Sequence, residues 1–122
     1  LEPEGIDWFG IYDCFPICFV RAVEAVGLCD KGMGGEWVEN EYNRMMDDPN
    51  GWSMPINTHG GLMGFGAPWE VPAMFNVIEA VRQLRRTAED RQVNGARRAL
   101  VYGNGGIFSA SAVAILGRAV DE

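Results

Sequence analysis

The sequence has little of what nucleic-acid-binding or membrane-spanning proteins need. Lysine and arginine total 10 against 17 aspartate and glutamate, which gives a net charge of -7. Phosphate binding draws its affinity from clustered basic residues, so this balance argues against a nucleic-acid partner. No run approaches the roughly 18 uncharged apolar residues that span a bilayer, and no basic region leads into an apolar run at the start. We therefore expect a soluble, cytoplasmic protein without a membrane span.

Cysteine and histidine are also scarce. The three cysteines, Cys14, Cys18 and Cys29, lie in or beside one apolar segment, and an odd number placed in this way is not a disulfide framework. The spacing of Cys14 and Cys18 is compatible with metal binding. However, the single histidine, His59, stands alone, and no second cluster completes four ligands. The sequence predicts buried thiols and no metal site.

The few basic residues lie close together in the second half of the sequence. They are Arg82, Arg85, Arg86, Arg91, Arg97 and Arg98. A local patch of this kind can bind a small anionic ligand despite the acidic character of the whole chain. The alternative is a solvated helix face that binds nothing.

The first part of the chain predicts a strand followed by a helix. With 122 residues, of which 48% are hydrophobic, the chain is sized for one domain, residues 1–122. Residues 6–14 are rich in aromatic residues and isoleucine and predict a strand. Residues 17–28 predict a largely buried helix that begins behind Pro16.

The next segment, at about residues 30–55, is rich in glycine, aspartate and asparagine. It shows no sustained helical period and predicts a long irregular insertion loop. Such loops are usually functional or mobile. A lid or an interaction segment and a plain linker are therefore both open as interpretations. Trp37 and Trp52 are among the apolar residues that can anchor it.

The second half predicts a helix between extended segments. Residues 55–66 are extended and then glycine-rich, and an apolar stripe at three- and four-residue spacing marks a helix that covers a sheet with one face. The stripe consists of Met74, Val77, Ile78, Val81 and Leu84. Residues 99–102 and 109–116 predict two strands around a glycine-rich turn at residues 103–106. This order of elements implies a layered α/β domain with a mixed sheet.

Three short segments combine strand ends with polar residues or glycine: residues 12–15, 57–61 and 102–106. In α/β folds, ligands bind at strand ends and in the turns that follow them. Glycine pairs let the backbone approach a ligand closely and present N–H groups to an oxyanion.

The order and spacing of these segments resemble the thiolases, above all the branch of sterol carrier protein x and the bacterial lipid-transfer proteins. Residues 12–15 (YDCF) are similar to the HDCF block of that branch, and residues 57–61 (NTHGG) look like its N-x-x-G-G block. Residues 83–96 follow its QLRG-x-A-x-x-RQV-x-GA segment closely. The resemblance covers nearly the whole chain.

The resemblance implies the C-terminal half of a fold with two similar halves, each a five-stranded mixed sheet with helices. The chain would then be a fragment that lacks the first strand and helix of that half. The substrate implied is a CoA thioester, with no covalently bound cofactor. Asn57, Gly60, Gly61, Gly105 and Gly106 are the implied substrate-binding residues.

The departures from the family pattern concern its catalytic residues. Tyr12 stands where the family has the histidine of HDCF, and Ala67 stands where it has the histidine that activates a nucleophilic cysteine. Where thiolases have a cysteine as a second acid/base, the corresponding position is Tyr102 or Gly103, and neither is a thiol. Tyr12 and His59 are the candidate catalytic residues, because a phenol and an imidazole can both transfer protons. The alternatives are a tyrosine packed in the core and a turn histidine that packs or faces solvent.

The predicted function is part of a thiolase-fold enzyme that makes or breaks a carbon–carbon bond in an acyl-CoA, by retro-aldol cleavage of a hydroxyacyl-CoA or by acyl transfer. The fragment alone is expected to be inactive. The alternative is a non-catalytic acyl-CoA- or lipid-binding module or a scaffold subunit. The family implies an N-terminal thiolase half, a homodimer and a small partner with an OB-fold and zinc ribbon.

Overall fold

The computed structural model describes residues 2–48, 53–68, 71–106 and 108–119. Its sheet has three strands in the order β1-β2-β3: β1 is Trp8–Ile11, β2 is Arg98–Gly105 and β3 is Ala110–Gly117. β1 runs parallel to β2, and β2 runs antiparallel to β3. The prediction of an α/β domain with a mixed sheet is confirmed.

Four α-helices accompany the sheet within the described residues. They are α1 (Pro16–Ala25), α2 (Gly34–Asp47), α3 (Gly61–Phe65) and α4 (Pro72–Arg85). α1 and α4 each begin with proline, whose fixed φ suits the first turn and whose missing N–H leaves no helical bond unmade. In the described part of the chain, no helix combines the length and apolarity needed to cross a membrane.

Hydrophobic clusters form on both faces of the sheet. Phe9 and Ile11 point to the face covered by α1, where Ala22 and Val23 join them. Trp8 points to the opposite face, covered by α4. This alternation follows from the two-residue side-chain period of a strand. Because all four residues of β1 are buried, the sequence shows no alternation of apolar and polar residues there.

The prediction of an irregular loop at residues 30–55 is wrong for most of its length, because α2 occupies Gly34–Asp47. Trp37, Val38 and Glu41 recur at helical spacing and turn inward, the first two against the core under α1. The two glycines at the start of the helix obscure this pattern, since glycine disfavours helices. Trp52 lies outside the described residues.

The helix predicted around the stripe of residues 74–84 is confirmed as α4, but its buried face is different. Met74 and Ile78 of the stripe are 54% and 45% exposed, whereas Glu79 and Gln83 are 2% and 0% exposed. The sheet side of α4 is partly polar because other segments supply hydrogen bonds there, as described below. The two predicted C-terminal strands are confirmed as β2 and β3, with residues 103–105 continuing β2 instead of forming the turn.

Candidate functional site

The segment before α3 is attached to the edge of β1 by Asn57, which hydrogen-bonds to the backbone of β1 as a neighbouring strand would. The backbone N–H of Asn57 donates to the carbonyl of Phe9 at 2.9 Å. The Asn57 side chain then pairs with both backbone groups of Ile11, accepting from its N–H and donating to its carbonyl, each at 2.8 Å. Asn57 has a φ of 47°, a left-handed conformation that asparagine tolerates.

This pairing fixes the turn that carries His59 beside Ile11, the last residue of β1. Tyr12 is the next residue along the chain. The amide of Asn57 thus serves the fold in the described contacts. Its predicted contact with a substrate stays a prediction.

Tyr12 follows β1 directly, and its backbone N–H donates to the carbonyl of Tyr102 at 3.0 Å. Its side chain is half-buried, and it is Tyr102 that joins the hydrophobic core. Burial raises the pKa of Tyr12, and the neighbouring Cys14, Cys18 and Asp13 raise it further. A phenol with a raised pKa stays protonated at neutral pH, so Tyr12 is suited to donate a hydrogen bond or a proton and not to act as a base.

Asp13 holds the start of α3 against the end of β1. Its side chain is 3% exposed, and Oδ1 accepts a hydrogen bond from the backbone N–H of Leu62 at 2.7 Å. Gly61 lies against this carboxylate with a φ of 61°, and a Cβ there would collide with it. Gly61 is therefore required for the close approach of two backbone segments, and its predicted substrate contact stays a prediction. Sequence reasoning missed the role of Asp13, although a carboxylate within a segment predicted to be a strand was a signal.

His59 lies in the turn before α3 and lines a cavity of about 280 Å³ together with Phe65, Phe75, Ile78, Glu79, Arg82 and Arg91. Its ring centroid is 6.2 Å from that of Phe65. Both ring nitrogens are buried and, among the described residues, have no hydrogen-bond partner. The ring nitrogens of His59 therefore do not face solvent.

Burial lowers the pKa of His59, with Glu79 and Asp13 acting in the opposite direction and Arg91 adding to the decrease. The imidazole is therefore neutral at pH 7, with one nitrogen protonated and the other free to accept a proton.

A buried polar network lies beneath this turn and was not foreseen from the sequence. Thr58 Oγ1 donates to Glu79 Oε1 at 2.8 Å and accepts from the indole N–H of Trp8 at 3.0 Å. Gln83 Nε2 lies 3.1 Å from Thr58 Oγ1 and 3.0 Å from Glu79 Oε1. The signal was Glu79 and Gln83 one helical turn apart on a helix that must cover a sheet.

Arg91 completes the network from the turn after α4. Its Nε and one terminal nitrogen each donate to Glu79 at 3.1 Å, a two-pronged ion pair. Burial by itself raises the pKa of Glu79, but hydrogen bonds from Arg91, Thr58 and Gln83 outweigh it, and the pKa is lowered. The match of residues 83–96 to the family segment thus corresponds to a structural unit that joins α4 to the His59 turn.

A larger cleft of about 690 Å³ is lined by other residues of the same turn. Its lining residues include Asp13, Asn57, Thr58, Gly60, Met63 and Arg91. Gly60 has a φ of 104°, a conformation open to glycine but strained for other residues. Of the predicted substrate-binding residues, Asn57 and Gly60 are therefore brought to one cleft.

Gly105 and Gly106 lie elsewhere, at the end of β2 and in the turn to β3. Ile11 is level with Tyr102 in the sheet, so Gly105 lies three residues, or roughly 10 Å, beyond the end of β1. Neither glycine lines the two cavities within the described part of the chain. The structure does not bring them to the His59 turn, and their contact with a substrate stays a prediction.

Comparison with known proteins gives a consistent result. Residues 1–118 match the family described as thiolase C-terminal domain-like. An acetyl-CoA acetyltransferase of Methanothermobacter thermautotrophicus is 36% identical over 118 residues, which cover 97% of this chain and 30% of that protein. Sterol carrier protein 2 of Bos taurus is 36% identical over 105 residues, which cover 86% of this chain and 18% of that protein.

A chain in the solved structure of the Ltp2-ChsH2(DUF35) aldolase is similar in both sequence and fold. It is 28% identical, with a TM-score of 0.74, and the match covers 97% of this chain and 28% of that one. The chain thus spans less than a third of the length of each of these three proteins.

Proposed function

Because the chain belongs to the thiolase C-terminal domain-like family, we propose that it is part of an enzyme that makes or breaks a carbon–carbon bond in an acyl-CoA thioester. The reaction favoured is retro-aldol cleavage of a hydroxyacyl-CoA into a carbonyl compound and a shortened acyl-CoA. The observation that carries the proposal is the attachment of the His59 turn to the end of β1, next to Tyr12, through the side chain of Asn57.

The protonation states of Tyr12 and His59 suit complementary roles. In a retro-aldol cleavage a base removes the proton of the hydroxyl, the carbon–carbon bond breaks, and the resulting enolate is stabilised and protonated. The neutral imidazole of His59 accepts the hydroxyl proton in this scheme. The protonated phenol of Tyr12 donates to the thioester oxygen or the enolate.

The buried ring nitrogens of His59 add to this argument. A buried polar atom without a hydrogen bond costs free energy, so a substrate group that reaches it makes a bond that the free protein lacks. Arg82 beside the same cavity supplies positive charge for an anionic ligand such as CoA. The six arginines of the sequence do not act as one patch, since Arg91 is already paired with Glu79.

The outer strand of the sheet supports the proposal of a longer protein that includes an N-terminal thiolase half. β3 pairs with β2 alone in the described structure, and Val113 and Ile115 are 55% and 51% exposed. An apolar strand with an unpaired edge is a template for further pairing. We assign the N-terminal half as its occupant, because the chain spans less than a third of its relatives.

The remaining partners and the location belong to the same proposal. A small OB-fold and zinc-ribbon partner is supported by the two-component name of the structural neighbour, and the homodimer rests on the family resemblance alone. A cytoplasmic location is supported by the number and placement of the three cysteines in the sequence, which are not those of a disulfide framework.

A second candidate is acyl-CoA binding without catalysis. Ala67, after α3, provides no titratable group where the resemblance implies the histidine that activates a cysteine nucleophile. Acyl transfer through such a cysteine is therefore the less supported chemistry. Binding alone requires the cleft and the charges but none of the proton transfers.

Turnover of a hydroxyacyl-CoA by the full-length protein, with any partner it requires, tests the proposal. Tyr12→Phe removes only the phenol oxygen, and we expect kcat to fall by about 100-fold with little change in acyl-CoA affinity. Products are quantified by chromatography and mass spectrometry, and affinity by calorimetry.

Tyr42→Phe is the matched control, because Tyr42 is 59% exposed on α2, an element that contributes neither to the end of β1 nor to the His59 turn. Equal activity of the two variants would remove Tyr12 from the mechanism. Binding of acyl-CoA by the wild type without any turnover would favour the second candidate.

A further inference from the structure

Cys14 and Cys18 place their sulfur atoms in contact. Cys14 Sγ lies 3.4 Å from Cys18 Sγ and donates a weak hydrogen bond to it. Neither thiol takes part in the proton transfers proposed above, beyond raising the pKa of Tyr12. Cys14 lies in the short segment that joins β1 to α1, and Cys18 lies in the first turn of α1.

The contact follows from the way α1 begins. Phe15 caps the helix in an extended conformation, and Pro16 starts its first turn. Cys18 lies in that first turn, where helical side chains point back toward the N-terminus. Its sulfur is thereby directed at Cys14, which precedes the cap.

The two thiols differ in exposure in a way that suits stepwise oxidation. Cys14 is partly exposed, whereas Cys18 is 2% exposed. An oxidant in solution reaches Cys14 first, and Cys18 is already in contact to react with the product. An accessible thiol beside a second, resolving thiol is one feature of cysteines that respond to oxidation. Burial and the contact with Cys18 raise the pKa of the Cys14 thiol, so the contact geometry favours the disulfide while the raised pKa slows the first oxidation.

We propose that Cys14 and Cys18 form a reversible disulfide on exposure to a peroxide, with Cys14 as the reacting thiol and Cys18 as the resolving thiol. Hydrogen peroxide oxidises the Cys14 thiol to a sulfenic acid and is itself reduced to water. The Cys18 thiol then attacks the Cys14 sulfur, a second water leaves, and the sulfur–sulfur bond forms. The two thiols together lose two electrons and two protons, and a small-molecule thiol reverses the reaction by exchange.

The test is the oxidation of the full-length protein with hydrogen peroxide, followed by alkylation of free thiols, trypsin digestion and mass spectrometry. Cleavage after Arg21 and Lys31 separates a peptide with Cys14 and Cys18 from one with Cys29. We expect the first peptide to lose both alkylation sites together and to be lighter by two hydrogen atoms, while Cys29 stays alkylated. Dithiothreitol should restore both sites.

The variants separate this chemistry from general oxidation. Cys18→Ala should leave Cys14 unable to form the internal bond, so that it is overoxidised or captured by added glutathione. Cys29→Ser should react as the wild type does. The proposal is overturned if the wild-type peptide keeps two free thiols, if Cys14 is overoxidised despite Cys18, or if the bond joins Cys29. Because the wild-type peptide map alone decides among these outcomes, a variant that fails to fold does not weaken the test.

Discussion

His59 illustrates how single residues acquire their chemistry from their surroundings. The imidazole is surrounded by groups of both signs: Glu79 and Asp13 favour its charged form, whereas Arg91 disfavours it. Burial of the ring outweighs the two carboxylates, and the pKa is lowered. The same side chain in an exposed turn would be partly protonated at neutral pH.

The titration of His59 can be measured without ambiguity in this chain, because it is the single histidine. We expect NMR of the imidazole to give a pKa below the ordinary value of about 6.5. The unfolded chain takes up the proton at the higher pH, so this group makes the folded chain less stable as the pH falls below about 6.5.

His59→Gln should abolish that part of the pH dependence, as followed by urea unfolding at several pH values. An imidazole that titrates at or above the ordinary value would contradict the burial on which the base role of His59 depends.

At the level of elements, α1 and α2 pack through a glycine at the start of α2. The backbone N–H of Gly34 donates to Glu24 Oε1 at 3.1 Å, so a carboxylate from α1 caps the N-terminus of α2. Backbone hydrogen bonds from Gly32 and Gly34 lower the pKa of Glu24. A Cβ at Gly34 would collide with the backbone carbonyl of Val20, so the cap and the close helix contact both require glycine there.

The two glycines at the start of α2 should respond in opposite ways to substitution by alanine. Gly34→Ala should cost about 1–3 kcal/mol, because the collision is with backbone that cannot turn aside. Gly35→Ala should be neutral or stabilise the protein by up to about 1 kcal/mol, because nothing lies within 4 Å of its added Cβ and alanine favours a helix. Urea unfolding of both variants is the measurement, and equal effects would show that α1 and α2 do not pack in this way.

The joint between α4 and the His59 turn explains why α4 buries polar residues. Glu79 and Gln83 on the helix meet Thr58 from the turn and Arg91 from the segment after the helix. Removing one partner of such a buried pair leaves an uncompensated polar group, so the members depend on one another. The network positions the turn that carries His59 through contacts from three separate segments.

At the scale of the whole molecule, the sheet is unfinished on one side. β1 is buried along its full length, whereas every residue of β3 but Leu116 is exposed. Val113 and Ile115 lie opposite Tyr102 and Leu100, so they extend the apolar surface that α1 covers over β1 and β2. A sheet face of this kind is stable only when another segment covers it.

The isolated chain should therefore self-associate through β3. Val113→Lys combined with Ile115→Lys should weaken association by roughly tenfold or more, because charge on an exposed strand opposes edge pairing. Sedimentation analysis over a range of concentrations gives the association constant.

The control places the same two charges on α2, by Tyr42→Lys combined with Met46→Lys; these residues are 59% and 67% exposed. The role of β3 would be disproved if both double variants associated as strongly as the wild type.

The sequence by itself determined the elements whose signals are local. Proline at the start of α1 and α4, the apolar runs of β1 and β2, and the motif blocks around Tyr12 and Asn57 each depend on a few neighbouring residues. They were sufficient for the fold class and the family. The glycines at the start of α2 lower its local helix propensity, so the sequence did not predict this helix. The packing that stabilises it involves residues distant in the sequence.

Only the tertiary structure decided which residues of the site act together. The Asn57 side chain bonds to β1, Asp13 bonds to the start of α3, and Glu79 pairs with Arg91. The partners in each pair are too far apart in the sequence for local spacing to predict the contact. The directions of the pKa changes at Tyr12 and His59 were likewise hidden, because burial and neighbouring charges set them. A sequence names the donors and acceptors, but a hydrogen bond or a desolvated ring exists only after distant segments have been brought together.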